Sequence, residues 1–392
     1  MTTTVSVIPA QEATRRLLPF SLMLFLGYLS IGLPLAVLPL HVGKDLSFSS
    51  TIVGLVMATQ FIATLLTRHV AGHMVDTRGA KPVLIMGTLI SSAAAMIYGL
   101  SVWIPCGPIG GLIFLLLGRA VLGLGESLLI TGILAWSIGA VGPPHAGRAM
   151  VWVGIAMFSA MGIGGPIGTD IMHVGGFGIV ALVAAILPLA ACMMAYAMSP
   201  IPLHPGRRLS FFTVVKEIWP FGGALALTTV GFGAMFSFLG LDYAERGWEG
   251  ASYGLTAFGI AYVTARMVFG SLPDRLGGRR VARVTIPLQA IGLVLLWLAQ
   301  NSWVALLGCF AMGGGYSLTF PALGVEAIRR VPPQNRGGAM GAYVAFSDIG
   351  LGMTGPLAGI IAGYVGYPSV FLLGAVASIV AFFCVTSLKG DG

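Results

Sequence analysis

Twelve apolar runs, each long enough to cross a lipid bilayer as an α-helix, follow one another along this chain. A spanning helix needs about 20 mainly apolar residues, and its backbone must satisfy its own hydrogen bonds because lipid offers none. The predicted spans cover residues 17–42, 49–74, 82–104, 109–140, 147–173, 177–198, 217–241, 250–272, 282–300, 303–328, 338–363 and 368–388. The loops between them are short. The predicted fold class is therefore an all-α membrane protein with twelve transmembrane helices.

Composition agrees with a chain that has the bilayer as its solvent. Of its residues 57% are hydrophobic and only 9% are charged, whereas about a quarter of a soluble protein is charged. The net charge of +8 does not indicate nucleic-acid binding, because the charges form short clusters between the apolar runs. The four cysteines have neither metal-type spacing nor a disulfide framework. We expect no metal and no cofactor.

The placement of basic residues predicts the orientation of the spans. With both termini in the cytoplasm, sixteen lysines and arginines fall in inside segments, and the outside loops hold only Lys44 and Arg246. Cytoplasmic loops carry such an excess in membrane proteins. The N-terminal apolar run is much longer than the core of a cleavable signal peptide. We predict a multi-pass protein of a bacterial inner membrane.

The two halves of the chain are related by an internal repeat. A shift of 198 residues places Arg68 on Arg266 and Asp76 on Asp274, and a shift of 190 aligns the later spans. Six spans return the chain to the same side, so the two copies are parallel. The predicted units are a six-helix bundle over 1–198, a linker over 199–216 and a second, pseudo-symmetric six-helix bundle over 217–392.

On these motifs the chain resembles the major facilitator superfamily over its whole length. The family's loop pattern Gly-x-Leu-x-Asp-Arg-x-Gly-Arg-Arg is almost complete at 270–280 and degraded at 72–81. Its fourth-span arginine pattern resembles 119–125, and its fifth-span antiporter motif resembles 154–168. The chain is most similar to the small bacterial sugar and drug exporters known as arabinose-efflux permeases. The resemblance implies alternating access around a midplane site between the halves.

The duplicated loop predicts a cytoplasmic gate. We expect Asp76 to face the start of the eleventh span near Gly337, and Asp274 to face the start of the fifth near Gly147. Unpaired N–H groups and the helix dipole favour an anion at such termini, and these contacts would hold the cytoplasmic side shut in the outward-open state. The positive-inside bias alone is an alternative explanation for the arginines. The predicted gate residues are Gly72, Asp76, Arg78, Gly270, Asp274, Arg275 and Arg279.

Three ionisable residues at membrane depth are candidates for proton coupling, because charges there are costly and mark functional sites. Arg119 and Glu126 lie seven residues apart and share one face of the fourth span. Their arrangement resembles that of spinster-type facilitators, where the pair is tied to proton coupling, although those proteins also carry first-span charges that are missing here. Asp348 lies near the middle of the eleventh span, where the repeat places Phe158. A static ion pair and a structural acid are the alternative interpretations.

Two further groups of residues complete the predicted site. Gly-Pro pairs remove a helix hydrogen bond and permit a bend, so they predict either hinges or close helix packing. The pairs are Gly165-Pro166 and Gly355-Pro356. Aromatic residues on the spans that face the cavity in this fold are candidates for substrate contacts, and the alternative is ordinary packing. The candidates are Tyr28, Phe232, Phe236, Tyr316, Phe320 and Phe346.

The sequence predicts a secondary active transporter, a proton-coupled exporter of a small organic molecule that works as a monomer. The alternatives are a uniporter or importer of a sugar or organic acid, a lysolipid exporter, and a membrane sensor that transports nothing. An enzyme is not expected, because the sequence shows no metal-ligand cluster, no phosphate-binding loop and no grouping of a nucleophile with a base.

Overall fold

A computed structural model describes residues 9–142, 145–201, 211–331 and 336–387, and its regular structure within these ranges is helical throughout. The elements are α1 (Ala10–Leu40), a π-helical segment (His41–Asp45), α2 (Ser50–Arg78), α3 (Ala80–Trp103), α4 (Gly107–Val141), α5 (Ala146–Ala197), α6 (Phe211–Glu245), α7 (Ala251–Phe269), α8 (Leu272–Leu276), α9 (Gly278–Leu298), α10 (Ser302–Arg329), α11 (Arg336–Val365) and α12 (Pro368–Ser387).

The helices give the twelve crossings that the apolar runs predict. Within the described ranges, ten helices are long and apolar enough to span a membrane. One of them, α5, contains two crossings, because Gly176 has φ 71° and ψ 179° and breaks the helix near its middle. The shorter α7 packs between α5 and α10 and supplies the remaining crossing. The prediction of an all-α membrane protein is confirmed.

The repeat is visible in the backbone at the two duplicated loops. Gly79 ends α2 with φ 91° and ψ 160°, and Gly277 precedes α9 with φ 88° and ψ 143°. These glycines are related by the 198-residue shift, and a residue with a side chain adopts such a conformation only at a cost. Of the predicted linker 199–216, residues 202–210 lie outside the described ranges, and α6 begins within it at Phe211.

The two halves meet mainly along two pairs of helices, α2 with α11 and α5 with α7, and α1 also packs against α6. We call the side of the molecule that holds the α2–α3, α4–α5 and α10–α11 connections the basic side, because the lysines and arginines cluster there. We call the other side of the molecule the opposite side.

Close packing between the halves is found toward the opposite side. A Cβ on Gly54 of α2 would lie 2.0 Å from the carbonyl oxygen of Gly355 on α11. The Ser50 hydroxyl donates to the carbonyl oxygen of Gly359 at 2.9 Å. In the other pair, a Cβ on Gly162 of α5 would lie 3.2 Å from the Cα of Gly259 on α7. The two glycine contacts bring the helix backbones this close because neither partner has a side chain.

Toward the basic side the glycines of the same helices lie outside contact distance of the other half. A Cβ on Gly72, near the basic end of α2, would meet no atom within 4 Å, and the same holds for Gly341 on α11 and Gly147 on α5. Among the glycines that the structure describes, the closest backbone contacts between the halves therefore lie toward the opposite side.

Candidate functional site

The central site begins with the close approach of α2 and α4. A Cβ on Gly123 of α4 would lie 2.3 Å from the carbonyl oxygen of Gln60 on α2. The Thr64 hydroxyl donates to the Gly123 carbonyl oxygen at 3.1 Å. This contact brings the polar face of α2 against the face of α4 that carries Glu126.

Arg119 fastens the same two helices together. Its side chain is fully buried, and it donates from Nε to the Val56 carbonyl oxygen at 3.2 Å and from Nη2 to the Met57 carbonyl oxygen at 2.8 Å. Among the side chains that the structure describes, no ion pair joins Arg119 to Glu126. The two residues share a helix but have separate partners, so the directly bonded pair suggested by the sequence is not formed in this structure.

Glu126 is held by three neutral side chains. Its exposed fraction is 9%. The Tyr28 hydroxyl donates to Oε1 at 2.8 Å, the Gln60 amide donates to Oε2 at 2.7 Å, and the Thr64 hydroxyl lies 3.3 Å from Oε2. We call Tyr28, Gln60, Thr64 and Glu126 the polar cluster. It joins α1, α2 and α4 of the first half at membrane depth.

Asp348 makes an ion pair across the two halves. Its carboxylate accepts two hydrogen bonds from Arg68 of α2, from Nε at 2.6 Å and from Nη2 at 3.1 Å. Both side chains are largely buried, with exposed fractions of 13% for Arg68 and 8% for Asp348. The two-point contact fixes both partners in orientation as well as in distance.

A small cavity at the centre of the molecule lies between the polar cluster and the second half. Its volume is about 20 Å³, which is enough for one water molecule. Three of the predicted cavity residues line it, namely Tyr28, Phe232 and Phe236, together with Gln60 and Glu126.

The other three predicted cavity residues lie elsewhere. Tyr316 is buried behind Phe232, with stacked rings whose centroids are 5.0 Å apart. Phe320 packs on Tyr343, and Phe346 packs over Gly222. Tyr316 therefore supports the cavity wall, whereas Phe320 and Phe346 belong to the packing of the second half.

Phe158 of the first half and the aromatic residues of the second half form one continuous group. Phe158 of α5 contacts Tyr262 of α7 with ring centroids 3.8 Å apart, and Phe258 lies within 6.3 Å of Phe232 and Tyr316. We call Phe158, Phe232, Phe236, Phe258, Tyr262 and Tyr316 the aromatic cluster. It faces the polar cluster across the central cavity.

The predicted gate residues lie at the basic side. Arg275 is exposed, as is Arg78. Arg279 contacts Glu326 of its own half at 3.5 Å, and its backbone N–H donates to the same carboxylate at 3.3 Å. The side chain of Asp274 lies outside the described part of the chain, as does the environment expected for Asp76 at Gly337. The gate remains a prediction.

The two Gly-Pro pairs lie at helix contacts. Gly355 packs against Gly54, and a Cβ on Gly165 would lie 3.1 Å from a methyl group of Leu255 on α7. Both α5 and α11 continue as helix through their prolines, and the break in α5 falls at Gly176 instead. Of the two interpretations, this arrangement favours close packing.

Sequence reasoning missed two contributors to the polar cluster, Gln60 and Thr64. Gln60 and Thr64 are uncharged, so they gave no signal in a search for buried charges. Their spacing with Arg68 was an available signal, because residues 60, 64 and 68 are four positions apart and lie on one face of α2. Among the described residues, no group of three or more His, Cys, Asp or Glu side chains could hold a metal ion.

A duplicated helical bundle with twelve crossings, a buried polar cluster and a cavity between its halves defines a membrane transporter. The family model of the Major Facilitator Superfamily matches the chain twice, over residues 20–241 and 221–390. The chain belongs to the major facilitator superfamily, whose members move small molecules across membranes and are not enzymes.

Relatives and solved structures agree with this assignment. An "Uncharacterized MFS-type transporter" of Pseudomonas aeruginosa is 42% identical over 376 residues, which is 95% of this chain and 94% of the relative. One from Burkholderia pseudomallei is 42% identical over 358 residues, or 90% and 87% of the two chains.

Two solved transporters share the fold. The human organic anion transporter MFSD10 has a TM-score of 0.73 at 13% identity, with 96% of this chain and 100% of that chain covered. The nucleoside transporter NupG has a TM-score of 0.76 at 15% identity, with 95% and 100% covered. Because the two are named for different solutes, this likeness indicates the fold and not the cargo.

Proposed function

We propose that the chain is a proton-coupled exporter of a small organic molecule and that Glu126 carries the proton. The observation behind this proposal is the set of partners around Glu126, which are all neutral. Hydroxyl groups can donate or accept a hydrogen bond, so Tyr28 and Thr64 can bind a carboxylate or a protonated carboxyl. An arginine partner would accommodate only the charged form.

Gln60 adds a second reason. Its amide nitrogen donates to Glu126, while its carbonyl oxygen Oε1 is buried without a hydrogen-bond partner among the described residues. Rotation of the amide would turn that oxygen toward a protonated Glu126, where it would accept a hydrogen bond from the carboxyl O–H. Since buried polar groups are costly when unpaired, the free acceptor favours a site that alternates between two protonation states.

The contacts between the two halves fit alternating access. The excess of lysine and arginine makes the basic side the cytoplasmic one, with both termini there, in the inner membrane of a bacterium. The glycine contacts join the halves toward the opposite side, and the Arg68–Asp348 pair joins them nearer the basic side. This pair must break when the halves separate there, so we assign Asp348 to the coupling of protonation to their movement. The protein works as a monomer.

The decisive experiment uses Glu126→Gln in reconstituted vesicles. A thermal-shift screen of purified protein over sugars, drugs, amino acids and lipids first identifies a ligand. Uptake of that ligand, radiolabelled, is then measured with an imposed pH gradient. We expect Glu126→Gln to bind the ligand normally and to lose the acceleration by the gradient. Asp170→Asn removes an exposed acid and should behave as the wild type.

Two results would reject proton coupling through Glu126. One is wild-type flux that ignores the pH gradient, which would favour a uniporter. The other is full gradient-driven flux in Glu126→Gln, which would move the proton site to another residue, with Asp348→Asn as the next variant to measure.

A further inference from the structure

The two contacts between the halves carry related arginines in different surroundings. Arg68 lies at the α2–α11 contact and is paired with Asp348. The repeat places Arg266 at the corresponding point of the α5–α7 contact, and it places Phe158 where the acid would be. The position that supplies a carboxylate to the first arginine therefore holds an aromatic residue in the second contact.

Arg266 is buried without a counterion. Its exposed fraction is 5%. One nitrogen, Nη2, donates to the Tyr262 hydroxyl at 2.5 Å, and the guanidinium carbon lies 5.2 Å from the centre of the Tyr262 ring. Among the side chains that the structure describes, no acid pairs with Arg266 and its Nε has no hydrogen-bond partner. A tyrosine hydroxyl is neutral and does not balance the charge.

The first half offers no side chain to this cation at its nearest point. Across the contact, α5 presents Gly154, where a Cβ would lie 3.6 Å from Nη2 of Arg266 and 3.4 Å from the Tyr262 hydroxyl. A glycine has no group that could pair with the guanidinium. Arg266 also lies one helical turn closer to the basic side than Tyr262 does.

We propose that Arg266 binds the anionic group of the transported solute and that the aromatic cluster holds its apolar body. A guanidinium makes strong, two-point hydrogen bonds to carboxylate, sulfonate and phosphate groups, and the free Nε is a donor of this kind. The rings of Tyr262 and Phe158 offer the adjoining apolar surface. The cargo is thus an organic anion with an aromatic or similarly apolar part. This inference rests on the proposed transport function and specifies its substrate class.

Binding to purified protein, with no gradient present, tests the proposal. The probes are 2-naphthoate, 2-naphthalenesulfonate and 1-naphthyl phosphate, each compared with the neutral 2-naphthamide. We expect at least one anion to bind more tightly than the amide and Arg266→Gln to weaken that anion by roughly 10- to 100-fold, the loss of one or two charge-assisted hydrogen bonds. Arg266→Lys should retain part of the affinity. Arg329→Gln, at an arginine that is 57% exposed, should change nothing.

A variant that places a carboxylate beside Arg266 gives an independent test. In Gly154→Asp the new carboxylate is within reach of Arg266, so it should occupy the site, raise the melting temperature and abolish binding of the naphthalene anions. Gly154→Asn has the same size without the charge and should keep most of the affinity. Equal anion binding by the aspartate variant and the wild type would overturn the proposal, as would a set of anions that binds no better than the amide.

A comparison without ligand covers the case in which a variant folds poorly. Arg266→Met removes an unbalanced charge and should leave the melting temperature unchanged or raised, whereas Arg68→Met leaves Asp348 unpaired and should lower it. A fall in both variants would make Arg266 structural and would end the proposal. Binding of anions without gradient-driven flux would reject proton coupling alone, so the two hypotheses fail separately.

Discussion

The polar cluster and the aromatic cluster share three positions of the repeat, yet these positions have opposite chemistry in the two halves. The repeat relates Gln60 to Phe258, Thr64 to Tyr262 and Glu126 to Tyr316. In the first half these positions hold a buried carboxylate and its hydrogen-bond donors. In the second half they hold rings in contact with one another. The backbone plan is shared by the halves, and the buried side chains differ.

What the duplication preserves is the framework on which the halves pack and turn. Gly79 and Gly277 keep the same turn, and the contact of Gly54 with Gly355 has its counterpart in that of Ser252 with Gly165. A two-fold scaffold can therefore rock about its two helix contacts while each half carries its own chemistry.

The first test of this comparison removes Asp348, the acid that is found at the α2–α11 contact and has no equivalent at the α5–α7 contact. Asp348→Ala leaves Arg68 buried and unpaired, and removal of one partner from a buried pair costs about 3–5 kcal/mol. We expect a loss of this size in chemical unfolding of the purified protein. The double variant with Arg68→Leu and Asp348→Leu should recover most of it. A small effect of Asp348→Ala alone would mean that the pair is readily replaced by water.

The second test addresses the aromatic cluster. Phe258 is buried and touches five rings of the cluster, so Phe258→Ala should cost about 2 kcal/mol, mainly in lost packing. Its repeat equivalent Gln60→Ala should cost less in stability and more in gradient-driven flux. The same unfolding and flux assays report both. If the two variants lose stability and gradient-driven flux to the same extent, the polar cluster and the aromatic cluster do not have separate roles.

The third test uses the tighter of the two contacts. In Gly54→Ala the new methyl group overlaps the carbonyl oxygen of Gly355, and overpacking of this kind costs about 2 kcal/mol. We expect α2 and α11 to separate at the opposite side, measured as a longer distance between spin labels placed there. Ser252→Ala, at the equivalent position, is the matched control and should leave the distance unchanged.

The smallest expected effect is on a single hydrogen bond. Tyr28→Phe removes the donor to Oε1 of Glu126 and should cost about 1 kcal/mol. It should also change the pH dependence of transport, because one partner of the carboxyl is lost. Tyr343→Phe loses a comparable bond, to the backbone carbonyl of Phe320, and should leave the pH profile as in the wild type. If the pH profile of transport shifts in both variants, the effect of Tyr28→Phe comes from reduced stability and not from the loss of a partner of Glu126.

The fold could be predicted from the sequence almost completely, because the physics that determines it is local. An apolar run of sufficient length has to form a helix in lipid, and the repeat fixes which helices correspond. The pairing of Arg68 with Asp348 could not be predicted in the same way. The two residues are 280 positions apart, and the distance between α2 and α11 depends on where the glycines allow the halves to touch.

The candidate site was predicted in part for a related reason. Charged residues in apolar spans stand out, so Glu126, Arg119 and Asp348 were found. The hydrogen-bond partners of each residue depend on tertiary contacts such as that of Gly123 with Gln60. Such contacts cannot be predicted from the periodicity of the sequence. The repeat pairs Arg266 with Arg68 in the sequence, but only the structure shows that Arg68 has an acid as its partner.

The absence of an ion partner on both Glu126 and Arg266, within the described residues, has an electrical consequence. A cycle that brings one proton inward on Glu126 and carries one monovalent anion outward near Arg266 displaces two positive charges inward. Each charge is worth about 2.3 kcal/mol per 100 mV of membrane potential. Transport of this kind would generate current, and it would continue on the membrane voltage alone when the pH is equal on both sides.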